Sequence, residues 1–111
     1  MTTAMIASVT DETFATEVGA GTGLVAVEFS AEWCGPCRVM TPIVEAVARE
    51  LAPKLRVLEM DADANPRTAA RFGVRGLPSM LVFRDGALVD RIVGAIPHGA
   101  LRARLDGLVE S

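Results

Sequence analysis

Cys34 and Cys37 are the residues of this 111-residue chain whose type and spacing most directly imply chemistry. A Cys-x-x-Cys pair can cycle between a dithiol and a disulfide, or it can supply two of the four ligands of a zinc site. A bridge between the two closes a loop of four residues, which the chain-entropy model credits with only about 2 kcal/mol of stabilisation. The pair is therefore better suited to redox chemistry than to structural support.

The number of available ligands disfavours a zinc site. A structural zinc ion takes four protein ligands, and the chain has no third cysteine and one histidine, His98. His98 follows Pro97 near the predicted start of the last helix, where we expect it to be exposed. A single imidazole without a placed partner has no catalytic mechanism. We therefore expect neither a metal site nor a role for His98.

The cysteines lie where a buried strand meets an amphipathic helix. Residues 24–29 are apolar on both alternations except for Glu28, a pattern typical of a strand covered on both faces. After Cys34, apolar residues recur at helical spacing, which predicts a long amphipathic helix. Residues 55–61 form the next predicted strand, and the strand–helix–strand order indicates a right-handed crossover between parallel strands. Glu28 is then a lone acid in an apolar strand.

The segments on either side of this unit have weaker signals. Residues 4–9 have the composition of a short edge strand. Thr10 is a candidate N-cap for a short helix that ends near the glycines at 19–23. Asn65-Pro66 predicts a second helix start, with Asn65 as the cap, and Gly73 predicts its end.

The last third of the chain predicts a hairpin and a helix. Residues 79–83 and 87–93 are joined across Arg84-Asp85-Gly86, which suits an antiparallel hairpin, and a helix with Leu101 and Leu105 follows. The fold class is therefore α/β, in one domain over residues 1–111. Its mixed central sheet has about five strands and is flanked by about four helices.

Composition and charge exclude several classes of protein. The formal net charge is −3 and the isoelectric point is about 5.1, which argues against nucleic-acid binding. No apolar run approaches the length of about 20 residues that a membrane-spanning helix needs. The first basic residue is Arg38, so the N-terminus lacks the basic region of a secretory or transit signal. We expect a cytoplasmic location.

The segment Phe29-Ser-Ala-Glu-Trp-Cys-Gly-Pro-Cys-Arg38 resembles the active-site segment of the thioredoxin family. The likeness covers nearly the whole chain, through Asp61 to Asn65-Pro66, Arg75-Gly-Leu-Pro-Ser79, Asp85-Gly86 and Val93-Gly-Ala95. It implies the thioredoxin fold. It also implies a protein dithiol–disulfide oxidoreductase that reduces disulfides in client proteins through a reversible Cys34–Cys37 disulfide.

Physical chemistry gives the two cysteines different roles. A thiol at a helix start lies beside unpaired N–H groups and the positive end of the helix dipole, and thioredoxin-type sites lower its pKa from about 8.5 to about 7. Cys34 is therefore expected to be the exposed, ionised nucleophile, and Cys37 the sheltered resolving thiol. Ionisation alone accelerates attack only about threefold, so the larger effect is the proximity of Cys37 to the mixed disulfide. Gly35 and Pro36 complete the catalytic segment.

In the family an aspartate on the central strand takes the proton of the resolving thiol, and the matching residue here is Glu28. We expect burial to raise the pKa of Glu28, and its longer side chain to reach Cys37 with less need for a bridging water. The alternative is a carboxylate paired with a base for structural reasons. Glu59 stands where many family members have a lysine. Its charge would raise the pKa of Glu28 further if it points inward and would do nothing if it points to solvent.

The resemblance also implies a docking rim. Pro78 matches the family's cis-proline, and the backbone of Leu77 offers strand-like pairing to an extended client segment. The rest of this flat apolar rim consists of Trp33, Gly35, Pro36, Gly76, Gly94 and Ala95. Gly94 has the alternative role of an ordinary turn or bulge glycine.

By resemblance the chain needs no bound cofactor, because a flavin-containing, NADPH-dependent thioredoxin reductase would supply its electrons. The expected partners are this reductase and disulfide-containing client proteins, and we expect a monomer. Two other functions remain open. A disulfide oxidase or isomerase shares the fold, and the direction of transfer depends on the reduction potential relative to that of the compartment. A non-catalytic thioredoxin-like binding subunit would use the same rim.

Overall fold

A computed structural model describes residues 6–111, which form five strands and four helical segments. The strands are β1 (Ile6–Ser8), β2 (Leu24–Ser30), β3 (Leu55–Asp61), β4 (Ser79–Arg84) and β5 (Ala87–Val93). The helices are a short π-helical segment (Ala15–Gly19), α1 (Gly35–Leu51), α2 (Pro66–Arg71) and α3 (His98–Glu110). The predicted α/β architecture is confirmed. Residues 4 and 5 of the predicted first strand lie outside the described part of the chain.

The strands form one mixed sheet in the order β1-β3-β2-β4-β5. The first three run parallel, whereas β4 is antiparallel to β2 and β5 is antiparallel to β4. Residues 24–29 are all buried, because β2 is the central strand. Ser30 and Asp61 are paired at the ends of β2 and β3. The loops that follow these two strands therefore start side by side at one edge of the sheet.

Helical segments cover both faces of the sheet and divide the core into two layers. One layer packs α1 and α3 onto the sheet through residues that include Met40, Val44, Ala26, Val57 and Leu101. The other contains Phe14, Val18 and Ala69 packed against Phe29, Leu58 and Phe83. Burying one such large apolar side chain contributes about 1.5–3 kcal/mol. Together the two layers hold the carboxyl ends of β2 and β3 in place.

Asn65 is the N-cap residue of α2, as predicted, but its side chain does not cap the helix. Asn65 precedes α2, but its Oδ1 accepts the N–H of Asp11 at 2.8 Å and makes no cap bond to the helix. The carboxylate of Asp11 takes this role instead, accepting the N–H groups of Arg67 at 3.1 Å and of Thr68 at 2.8 Å. A residue 57 positions away in the chain thus satisfies the free donors at this helix start.

Thr10 caps a turn rather than the first turn of a helix. Its Oγ1 accepts the N–H of Thr13 at 3.3 Å, and its carbonyl oxygen accepts the N–H of Phe14 at 2.9 Å. The helical segment starts only at Ala15. The predicted short helix therefore exists, but it begins later than the capping pattern indicates.

The predicted hairpin between β4 and β5 is confirmed. Asp85 and Gly86 have φ values of 52° and 86°, and two successive positive values are typical of the tight turn that joins antiparallel strands. A Cβ atom at Gly86 would collide with the carbonyl oxygen of Gly19. Glycine is therefore required at position 86 for both its conformation and its close approach.

His98 has a partner that the sequence did not reveal. It is the first residue of α3 and is half-exposed, and its Nε2 lies 2.9 Å from Oε2 of Glu50 on α1. Arg102 also binds Glu50, at 2.8 Å. The expected exposure of His98 is correct, and its contact with Glu50 is a structural one. The imidazole helps to fasten α3 to α1.

Candidate active site

The two cysteines lie at the start of α1, directly after the loop that follows β2. Cys34 is the N-cap of α1, and its Sγ accepts the N–H of Cys37 at 3.2 Å. Gly35 and Pro36 are the first two helical residues. Because the first N–H groups of a helix have no partner within it, proline at this position sacrifices no helical hydrogen bond. The local sequence thus places a sulfur where a helix offers free donors.

Cys34 and Cys37 are joined in a disulfide, with their Cα atoms 5.3 Å apart. Each cysteine is only 3% exposed, and the two form a buried cluster with Ala31, against which Leu77 packs. The expectation that Cys34 is the exposed sulfur is therefore wrong for this oxidised state, because neighbouring side chains cover both residues equally. What distinguishes the two sulfurs is their position relative to the helix.

The charges around the start of α1 favour an anion at Cys34. No acid lies in the first turn of this 17-residue helix, so nothing there opposes the positive end of its dipole. Arg38 also lies close to the loop, since its Nη2 donates to the carbonyl oxygen of Glu32 at 2.8 Å. After reduction, this arrangement would stabilise a thiolate at Cys34 more than a thiolate at Cys37.

Glu28 is a buried acid without a base. It is 7% exposed, and no ion pair or side-chain hydrogen bond reaches it from residues 6–111. Burial raises the pKa of Glu28 to about 8, and the charge of Glu59 adds to this effect. The alternative that a basic partner holds Glu28 for structural reasons has no support among the described residues.

Glu59 lies beside Glu28 on the neighbouring strand. The two residues are register partners in β2 and β3, and paired residues project from the same face of a sheet. Glu59 is nevertheless an exposed residue. It shares a sheet face with Glu28 without being buried there, and its charge raises the pKa of Glu28.

Glu28 makes no hydrogen bond to Cys37 in this disulfide form, so the lesser need for a bridging water stays a prediction for the reduced protein. A cavity of about 20 Å³ lies next to Glu28, lined also by Ile6, Ser30, Thr41, Val44 and Glu59. A second, open cavity of about 550 Å³ has Cys37, Ser30, Thr41 and Glu59 in its wall. The smaller cavity is large enough for about one water molecule, so communication between Glu28 and the cysteines would require a bridge.

Leu77 is the predicted rim residue that packs against the cluster of Ala31, Cys34 and Cys37, and it lines a surface cavity together with Trp33. The Leu77–Pro78 peptide bond is cis, and the carbonyl oxygen of Pro78 accepts the N–H of Gly94 at 2.8 Å. Gly94 has a φ of 90°, which accounts for a glycine there whether or not it meets a client. Gly76 and Ala95 are exposed nearby in the chain.

Two residues near the rim, Asp63 and Val93, were not anticipated from the sequence. Trp33 is 69% exposed, and its Nε1 donates to Oδ2 of Asp63 at 2.6 Å. Val93 is 62% exposed, and its Cγ1 lies 4.0 Å from the position that a Cβ atom on Gly76 would occupy. The signal for Asp63 was the parallel pairing of β2 and β3, whose following loops begin at the same edge of the sheet.

The thioredoxin family model matches residues 5–107 of the chain. The chain belongs to the thioredoxin family. It is 41% identical to thioredoxin 1 of Synechococcus elongatus over 90% of this chain and 94% of that protein. It is 47% identical to a thioredoxin of Chlamydia muridarum over 81% and 85%, and 45% identical to one of Mycobacterium bovis over 91% and 87%.

Membership of the thioredoxin family identifies the chemistry of the Cys34–Cys37 pair. The chain is a dithiol–disulfide oxidoreductase, and thioredoxins reduce disulfides without a bound cofactor. Their partners are, in general terms, a reductase and disulfide-containing clients. In the described part of this thioredoxin-family chain, no group of three or more His, Cys, Asp or Glu residues is arranged to hold a metal ion. Within residues 6–111, no helix is both long and apolar enough to cross a membrane.

Proposed function

We propose that Cys34 attacks a client disulfide and that Cys37 resolves the mixed disulfide. In the first step the Cys34 thiolate bonds to one client sulfur, and the other client sulfur leaves with the electron pair. In the second step Cys37 bonds to Cys34 and displaces the remaining client sulfur. The two thiols lose two electrons and the client disulfide gains them. The observation that carries this order is the N–H of Cys37, which points at Sγ of Cys34.

Glu28 takes the proton of Cys37 during resolution. A buried thiol has no bulk water to accept its proton, and Glu28 is the buried acid on the strand that leads to the active-site loop. With its pKa raised to about 8, Glu28 can accept a proton from a thiol without a large energetic mismatch. One water in the adjacent cavity of about 20 Å³ would complete the path.

Clients dock on the flat rim around the disulfide. Its members are Trp33, Gly35, Pro36, Gly76, Leu77, Pro78, Gly94 and Ala95, to which the exposed side chain of Val93 adds apolar area. Small residues let the client backbone approach closely, and Leu77 offers backbone groups for strand-like pairing. A client is thus held as an extended segment across the sulfurs.

The working form is a monomer with one domain over residues 1–111. It acts in the cytoplasm as an electron carrier between a reductase and its clients. A flavin-containing thioredoxin reductase recharges it with electrons from NADPH. The relationship to thioredoxins over most of the chain supports this supply route. The test is insulin reduction coupled to such a reductase and NADPH, followed as precipitation of the insulin chains and as NADPH consumption.

In this assay the wild type should turn over repeatedly, whereas Cys34→Ser and the double variant Cys34→Ser/Cys37→Ser should not. A disulfide oxidase or isomerase would instead oxidise reduced clients and show a higher potential in a glutathione titration. A binding subunit would fail to reduce insulin as wild type and would keep its partner in the double variant. Either set of results would overturn the proposal of a reductase.

A further inference from the structure

Glu28 and Glu59 are two neighbouring carboxyl groups with no base between them. They are register partners on parallel strands and line the same cavity of about 20 Å³. Among residues 6–111, neither carboxyl group is held by an ion pair or a side-chain hydrogen bond. The charge of Glu59 therefore acts on the buried carboxyl of Glu28.

Glu59 connects this inner cavity with solvent. Three residues line both the inner cavity and the open cavity of about 550 Å³ that contains Cys37: Ser30, Thr41 and Glu59. Of these, Glu59 is the one with a carboxylate, a group that can accept a proton and release it again. It is exposed, whereas Glu28 is buried. The proton of Glu28 therefore has one titratable neighbour on its way out.

We propose that Glu59 is the solvent-side proton carrier of the site, passing to bulk water the proton that Glu28 takes from Cys37. The inference rests on the proposed role of Glu28. As Cys37 Sγ bonds to Cys34 Sγ, the client sulfur leaves with the electron pair and the Cys37 proton moves to the Glu28 carboxylate. Glu28 passes the proton through one water to Glu59, and Glu59 releases it to solvent. The departing client thiolate takes up a proton from solvent, so the number of protons released equals the number taken up.

No charged side chain from β1, β4 or α1 lines the inner cavity beside Glu28 and Glu59. The neighbours of Glu28 and Glu59 from β1, β4 and α1 are uncharged: Ile6, Ser8, Met80, Thr41 and Val44. The charged groups of the outer cavity are Glu32, Arg38 and Asp61. Arg38 is engaged with the carbonyl oxygen of Glu32. Because burial and the charge of Glu59 raise the pKa of Glu28 to about 8, the Glu28 carboxyl is mostly protonated at neutral pH and must release its proton before it can act as a base.

The test compares Glu59→Gln with wild type in single-turnover reduction of a client disulfide, from pH 6 to 9, in a dilute, bulky buffer. Formate is then added as a small proton carrier that fits the open cavity. Glu45→Gln is the matched control, because it makes the same change of charge on α1 but lines neither cavity. Glu28→Gln is measured in parallel.

For Glu59→Gln we expect a resolution rate at pH 7 lower by about tenfold, below the 10²–10⁴ typical of a directly acting acid–base group. Formate should restore this rate in a concentration-dependent way, while wild type and Glu45→Gln should not respond. Glu28→Gln should be slow and should not be rescued, because its inner cavity is too small for formate.

Three results would overturn the inference. They differ in whether the proposed role of Glu28 survives. If Glu59→Gln matches wild type while Glu28→Gln is slow, Glu59 is no carrier and the role of Glu28 stands. If Glu59→Gln only shifts the pH profile to lower pH and ignores formate, Glu59 acts by charge alone. If Glu28→Gln is also unaffected, both proton roles fail, although the thiol chemistry remains.

Discussion

The backbone N–H of Cys37 donates a hydrogen bond to Sγ of Cys34 over 3.2 Å. This contact makes one sulfur of the pair the cap of a helix and leaves the other inside its first turn. A hydrogen bond to a sulfur favours its charged form, as does the positive end of the helix. The two cysteines are equally covered in the disulfide, so the helix start alone makes them chemically different.

Single serine variants should separate the two cysteines. Cys37→Ser should accumulate a stable mixed disulfide between Cys34 and a client, because the resolving thiol is missing. Cys34→Ser should accumulate none. Non-reducing electrophoresis with mass spectrometry of the cross-linked peptide measures both. A mixed disulfide through Cys37 in the Cys34→Ser variant, formed as fast as the Cys34 adduct, would reverse the assignment.

Glu28→Gln should slow resolution and flatten its pH dependence. Glu28 acts as a base only when ionised, so with a pKa of about 8 the wild-type rate should rise with pH up to that value. The amide cannot accept the proton, and we expect a loss of roughly 10- to 100-fold, toward the lower end for positioned acid–base groups. Single-turnover rates between pH 5.5 and 9 measure this. An unchanged rate and an unchanged profile would remove Glu28 from the mechanism.

The same substitution should stabilise the oxidised protein at alkaline pH. Below pH 4.5 the Glu28 carboxyl is protonated in the folded and the unfolded chain alike, so it has no effect on the pH dependence. Between 4.5 and about 8 the unfolded chain releases the proton and the folded chain keeps it, so the free energy of unfolding falls as pH rises. At about 1.4 kcal/mol per pKa unit, the fall amounts to roughly 4–5 kcal/mol.

Urea unfolding of the disulfide form at pH 4.5 and pH 8.5 measures this prediction. Glu28→Gln should exceed wild type in free energy of unfolding at pH 8.5 and approach it at pH 4.5. Glu45→Gln should follow wild type at both. A Glu28→Gln difference that does not depend on pH would show that the carboxyl is not held protonated by burial.

Asp63 should position Trp33 for client binding. Removing the 2.6 Å hydrogen bond with Asp63→Ala should free the exposed indole and cost about 1 kcal/mol of client binding, or roughly fivefold in KM. The value of kcat should change little. Asp63→Asn keeps an acceptor and should retain most of the affinity. The indole N–H resonance of Trp33 should exchange faster with solvent in Asp63→Ala, and a kcat loss with unchanged KM would contradict a positioning role.

The sequence predicted the features that arise from local patterns. The apolar run of β2, the helical spacing after Cys34 and the Asp85-Gly86 turn each depend on neighbouring residues. The contacts it missed join distant residues: Asp11 to the start of α2, His98 to Glu50, and Trp33 to Asp63. The equal burial of Cys34 and Cys37 and the cavity next to Glu28 result from the packing of whole helices onto the sheet. The spacing of residues along the chain does not determine that packing.

The most direct test of the account is the pH dependence of iodoacetamide alkylation of the reduced protein, with each modified cysteine identified by mass spectrometry. Cys34 should react first, with a midpoint near a pH of about 7, while Cys37 should remain largely unmodified at neutral pH. Preferential alkylation of Cys37, equal reaction of both thiols, or no reaction at neutral pH would contradict the account.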